Sequence, residues 1–166
     1  MLRVLSGIIL LTLMFQGMVF AEPQTVLHAG VSLAREVPAA LMGTWRVSAK
    51  LKNTDSPANF KQTSTDIWNL SRQNDVINLS NPFTGASASI NVSYVNKNTV
   101  KFTKVGDYDN QKLTDSVEIT IEGDSFKGVN TLSLVTYSPA GNSVINTKNA
   151  VYTLYGEKIS GADILE

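Results

Sequence analysis

Nucleophilic hydrolysis of the Ser-His-Asp or Cys-His kind needs an imidazole held beside the nucleophile. The 166-residue sequence has one histidine, His28, and no cysteine. His28 falls in a leader ahead of the first strand-like segment, so a cysteine nucleophile is excluded and a serine nucleophile has no base placed to serve it. Zinc sites draw on His and Cys ligands in closed sets, which this composition cannot supply. No catalytic residue, metal ligand or cofactor is therefore expected.

Carboxylates are the remaining reactive groups. Asp107 and Asp109 with Asn110 set oxygen ligands at close spacing, but the further acidic ligand and regular order of a calcium loop are missing. A polar turn is the simpler reading. Glycoside hydrolysis would need two carboxyls opposed across a cleft. Asp66, Asp115, Glu118 and Glu157 lie on strand-like segments, and each reads as a solvent-facing residue.

Aromatic residues are the most suggestive set. Trp45, Trp68, Tyr94, Phe102, Phe126 and Tyr152 all fall on strand-like segments. Trp68, Tyr94, Phe102, Phe126 and Tyr152 could line an apolar pocket, with tyrosine hydroxyls and asparagine amides orienting a small molecule. The same rings could equally be the core. Three Asn-x-Ser sequons, at Asn69, Asn78 and Asn91, are expected by chance in a chain this rich in Asn and Ser.

The elements that must position these residues begin with an export signal. Arg3, an apolar stretch from Val4 to Phe15 and the small-residue spacing of Val19-Phe20-Ala21 follow the order of a signal peptide spanning residues 1–21. Gln16 and Gly17 break the apolar run before the roughly 20 residues a membrane span needs. Without a cysteine there is no site for a lipid anchor, so no membrane anchor is expected after cleavage and the protein is expected to be secreted or periplasmic. Removing 21 of 166 residues leaves 145, the size of one domain. Removing Arg3 leaves 13 basic against 14 acidic side chains, scattered without a basic cluster, which argues against nucleic acid as a partner.

Residues 22–42 read as a leader with a short helix between Val31 and Leu41, broken at Pro38. From Gly43 the period becomes two. Trp45, Val47, Ala49 and Leu51 alternate with Thr44, Arg46, Ser48 and Lys50, the pattern of a strand with one buried face. Similar patterning continues to residue 160. Ala88, Ile90, Val92 and Tyr94 share one face of a fourth strand, Val117, Ile119 and Ile121 that of a sixth, and the last strand buries either Ala150, Tyr152 and Leu154 or the interleaved set. Polar turns fall at Gln73-Asn74-Asp75, Asn96-Lys97-Asn98 and Glu122-Gly123-Asp124, and a loop at Gly106 to Asn110. The fold class is all-β, with about eight antiparallel strands in a meander over 43–160 and a tail at 161–166. Closing the sheet into an up-and-down barrel removes both exposed edges; a two-sheet β-sandwich is the alternative.

The run from Val37 to Val47, with Gly43-Thr44-Trp45 at its centre, resembles the start of lipocalin-like proteins. In that family a short helical lead-in precedes a Gly-x-Trp on the first strand, and the Trp closes one end of the barrel beneath a basic side chain from near the last strand. The resemblance puts Gly43, Trp45 and Lys158 in that barrel-closing role. The arginine usual in the family is replaced by Lys158, and its Thr-Asp-x-Tyr motif has no counterpart. What the resemblance implies is a closed eight-stranded barrel holding one small, largely apolar molecule; with the signal segment and the missing catalytic motif, the expectation is an exported, non-enzymatic binder. The alternative is a domain with a filled core whose exterior binds a protein partner.

Overall fold

The computed structural model describes residues 32–140, 143–161 and 163–165. The signal segment and His28 lie outside them. The leader enters as two short 3-10 helices, Leu33–Glu36 and Ala39–Leu41, separated by extended backbone at Val37 and Pro38. In place of the one short helix broken at Pro38 that the sequence predicts, the chain forms two separate 3-10 turns, because the backbone is extended at both Val37 and Pro38.

Eight strands follow: β1 (Gly43–Thr54), β2 (Thr63–Gln73), β3 (Val76–Ser80), β4 (Ser87–Asn96), β5 (Thr99–Tyr108), β6 (Gln111–Glu122), β7 (Ser125–Tyr137) and β8 (Val144–Ser160). Each pairs antiparallel with its sequence neighbour, and β1 pairs with β8 as well as β2. Those two pairings close the meander into an up-and-down barrel and set the sandwich aside. Closure gives nearly every strand a hydrogen-bonded neighbour on both sides, which an open sheet of eight cannot do.

Tight turns make the meander possible. Asn74, Lys97, Asp109 and Gly123 take positive φ at two-residue connections, the conformation that lets a hairpin turn match the twist of its strands. The turn at Asp109-Asn110 is shorter than the expected loop from Gly106, because Asp109 reverses the chain alone and β5 runs on to Tyr108. Asp107 is thus a strand residue paired with Lys112, apart from the turn. Among the described residues no group of three or more acidic or histidine side chains converges as a metal site would require.

The tail expected at 161–166 also holds structure. A ninth strand, β9 (Asp163–Leu165), runs parallel to β2 at Ser71 to Gln73. β1 begins opposite Leu70, so those three residues have a free edge on that side, and β9 covers it.

The inward phase of each strand fills the barrel. Trp45 and Val47, Trp68 and Leu70, Ile77 and Leu79, Val100 and Phe102, Val117, Ile119 and Ile121, Phe126, and Ala150, Tyr152 and Leu154 are buried in one cluster. On β8 the Ala150, Tyr152 and Leu154 set faces inward, while Thr153 and Tyr155 face out. A glycine makes room for one of the rings: a Cβ on Gly156 would fall 2.2 Å from the Phe126 ring, its cross-strand neighbour. Phe126 in turn stacks at 6.0 Å on Trp68 and tilts against Trp45 at 5.1 Å.

Tyr94 corrects the reading of the fourth strand. A bulge between Val92 and Tyr94 adds a residue to β4 and reverses the phase beyond it. Val95 packs on the core instead, and Tyr94 stands on the outer face at 41% exposure, with Lys101 5.5 Å above its ring.

Candidate functional site

One mouth of the barrel is closed by the leader. Ala34, Val37, Leu41 and Met42 are buried against the strand ends. Trp45, fully buried, donates its Nε1 proton to the Leu41 carbonyl at 2.8 Å. Lys158 Nζ lies 5.2 Å from the centre of the Trp45 ring and donates to the Ala40 carbonyl at 2.9 Å. Gly43 takes φ +115°, and an added Cβ would strike the Gly161 carbonyl at 2.3 Å, so the departing C-terminal segment passes directly over it. Arg72 donates to the Val37 carbonyl, and Arg35 pairs with Asp75 in the β2–β3 turn. These contacts tie the leader down from four separate elements.

The second mouth carries the longer connections. The β1–β2 loop folds over its β8 side: Phe60 joins the core cluster, Tyr152 Oη donates to the Lys61 carbonyl at 3.0 Å, and Lys148 Nζ donates to Asn59 at 2.9 Å. At the same rim, Asp109, Asn110, Tyr137, Ser138 and Pro139 line an open cleft of about 440 Å³ between the β5–β6 and β7–β8 connections.

Between the aromatic layer and this second mouth the interior turns polar. Asp115 follows the phase of Val117 and Ile119 on β6 and is 6% exposed; Asn130 follows the phase of Phe126 on β7 and is 9% exposed. Lys104, on β5 and directly opposite Asp115 in the ladder, pairs with its Oδ2 at 3.2 Å. Tyr108 and Leu113 lie nearer the rim on the same phase. Asp66 enters from β2, which stands four strands from β6 in either direction round the ring, so the two carboxylates face each other across the lumen. Asp66 Oδ1 accepts from Asn81 Nδ2 at 2.5 Å and from the Ile67 amide at 2.9 Å.

The electrostatics follow from this enclosure. Burial pushes the Asp115 carboxyl above its usual range; Lys104 and Asn130 pull it back down, and the charge on Asp66 adds to the upward push. Burial also raises the Tyr108 phenol, helped by the charges of Asp115 and Asp107. Even with Lys104 and Asn130 at hand, Asp115 Oδ1 and Asn130 Oδ1 lack a hydrogen-bond partner among the described residues. A buried acceptor left in this state costs about 1–3 kcal/mol. Such atoms call for an ordered water or a bound molecule.

The structure therefore divides the residues singled out from sequence. Trp68, Phe102, Phe126 and Tyr152 are brought together inside, with the Trp68 ring edge-on to Phe102 at 6.4 Å, and Tyr94 is not among them. Glu118 and Glu157 face solvent and pair with Lys101 at 2.9 Å and Arg46 at 3.5 Å. Asp115 was expected in solvent with them, and this is corrected: it is buried. The signal was present in the phase. Asp115 sits two residues before Val117, Lys104 two after Phe102, and Asp66 two before Trp68, each on the inward side of its strand.

Comparison of the chain with protein-family models, curated proteins and solved structures returned no match. The closed eight-stranded barrel is compatible with a lipocalin-like one.

Proposed function

We propose that the chain is an exported, non-enzymatic binding protein of lipocalin-like kind that holds one small molecule inside its barrel, reached from the second mouth. The observation that carries this reading is the layered interior, in which the buried Asp115 and Asn130 present unpartnered acceptors beside the rings of Trp68 and Phe102. An eight-stranded barrel is wide enough either to be filled by its own side chains or to hold one such ligand. A few placed polar groups on otherwise apolar walls are the usual composition of a ligand site. Secreted or periplasmic location follows from the N-terminal segment.

Two carboxylates facing one lumen also invite a catalytic reading. Asp66 is held by two hydrogen bonds to one oxygen and Asp115 by an ion pair, which suits fixed recognition better than proton exchange with a substrate. A surface for a protein partner has less support. The exposed apolar residues Phe83, in the β3–β4 connection, and Val144-Ile145, at the start of β8, lie three strands apart round the rim.

The test is native mass spectrometry of protein recovered from the exported fraction of its producing cells. The expected spectrum shows a polypeptide beginning near Glu22 and a second species heavier by the mass of a bound small molecule. Retention of residues 1–21 would overturn the export reading, and a bare polypeptide that also shows no thermal shift with any small amphiphile would overturn the binding one.

A further inference from the structure

The interior polar layer specifies more than the presence of a ligand. Two of its unpartnered atoms, Asp115 Oδ1 and Asn130 Oδ1, are acceptors on residues more than nine-tenths buried, on the inward phase of neighbouring strands; Ser64 Oγ, on the inward phase of β2, is a third and can donate or accept. Asp115 stands opposite Leu132 and Asn130 opposite Val117 in the β6–β7 ladder, so the two side chains are diagonal neighbours on one wall. An occupant that satisfied both must donate two hydrogen bonds from one place. A carboxylate or phosphate would meet acceptors with acceptors.

Charge points the same way. Within the layer, Asp66 and Asp115 oppose the single ammonium of Lys104, leaving an excess of one negative charge when all three are ionised. Lys148, also inward in phase, is committed to Asn59 at the rim. A buried excess charge is costly unless a counter-ion completes it. The Trp68 and Phe102 rings beside the layer offer faces that favour a cation and surface for an apolar chain.

We infer that the barrel takes an amphiphilic amine, whose protonated nitrogen docks between Asp115 and Asn130 while its apolar part packs against the aromatic layer and Leu132. This rests on the binding function proposed above and names the ligand class for that same interior. Asp115 Oδ1 and Asn130 Oδ1 each accept one N–H, and the positive charge balances the facing carboxylates.

The probes are octylamine, 1-octanol and octanoate, titrated into the mature protein by calorimetry and by tryptophan fluorescence. Octylamine is expected to bind at least tenfold more tightly than either of the others. Asp115→Asn and Asn130→Ala are each expected to lower octylamine affinity at least tenfold and so to remove that preference. Octanol or octanoate binding as tightly as octylamine would overturn the amine assignment and leave the pocket standing, as would an amine preference that survives both substitutions. If none of the three binds below millimolar concentration, the polar layer holds water only and the pocket itself is refuted. Should Asp115→Asn fail to fold, Asn130→Ala decides the matter alone.

Discussion

Lys158 and Trp45 form one unit at the closed mouth, the ammonium 5.2 Å from the indole centre and tied to the Ala40 carbonyl, while the indole is tied to Leu41. The last barrel strand, the first barrel strand and the second 3-10 helix therefore share a single anchoring point.

Replacing Lys158 by Met should destabilise the barrel by about 1–2 kcal/mol, through loss of a partly exposed cation–π contact and one hydrogen bond. Trp45→Ala should cost about 3–5 kcal/mol, the range for emptying a large buried aromatic. Urea unfolding of the mature protein measures both. If Lys158→Met proves neutral, the contact is incidental.

Gly43→Ala should release the C-terminal segment. The positive φ alone costs of order 1–3 kcal/mol for a residue with a side chain, and the added Cβ cannot coexist with the Gly161 carbonyl at 2.3 Å. Faster hydrogen exchange at Ser71 to Gln73, where β9 pairs, is the expected sign. Unchanged protection there would show that β9 does not depend on the Gly43 passage.

Asp115 should leave a mark on the pH dependence of stability. Its folded-state carboxyl lies above the ordinary value of 3.8, so the folded form holds the proton more tightly than the unfolded form. Stability from this group is fully present below about pH 3.8 and is lost as pH rises through the raised folded value. The groups that face it are Lys104, Asn130 and Asp66, with Tyr108 toward the rim. Subtracting the unfolding free energy of Asp115→Asn from that of the parent should give a difference that falls from pH 4 upward. A difference that rises over that range would mean that the Lys104 pairing outweighs burial.

How far the local pattern carries is clearest on β4 and β6. Alternation on β6 assigned Val117, Ile119 and Ile121 to one face, and they are buried together. The same alternation on β4 failed at Tyr94 because a bulge inserts one residue, and nothing in the apolar pattern marks where a ladder will slip. Asp115 failed for another reason. A carboxylate in the inward phase reads as an exception while Lys104 and Asn130 are distant in sequence, and it becomes permissible once strand pairing delivers both.

Period-two patterning past residue 43, polar turns at regular intervals and a tryptophan at the head of the first strand were enough to determine an all-β meander and the apolar inward face of strands such as β1 and β6, since side-chain alternation is a property of each strand alone. Only closure of the ring decided that Asp66 would face Asp115 across four strands, that Lys104 and Asn130 would gather beside it, and that Asp115 Oδ1 and Asn130 Oδ1 would go unpartnered. Burial of charge depends on what other strands contribute to the same enclosed volume, and that sum is set by the register of the whole barrel.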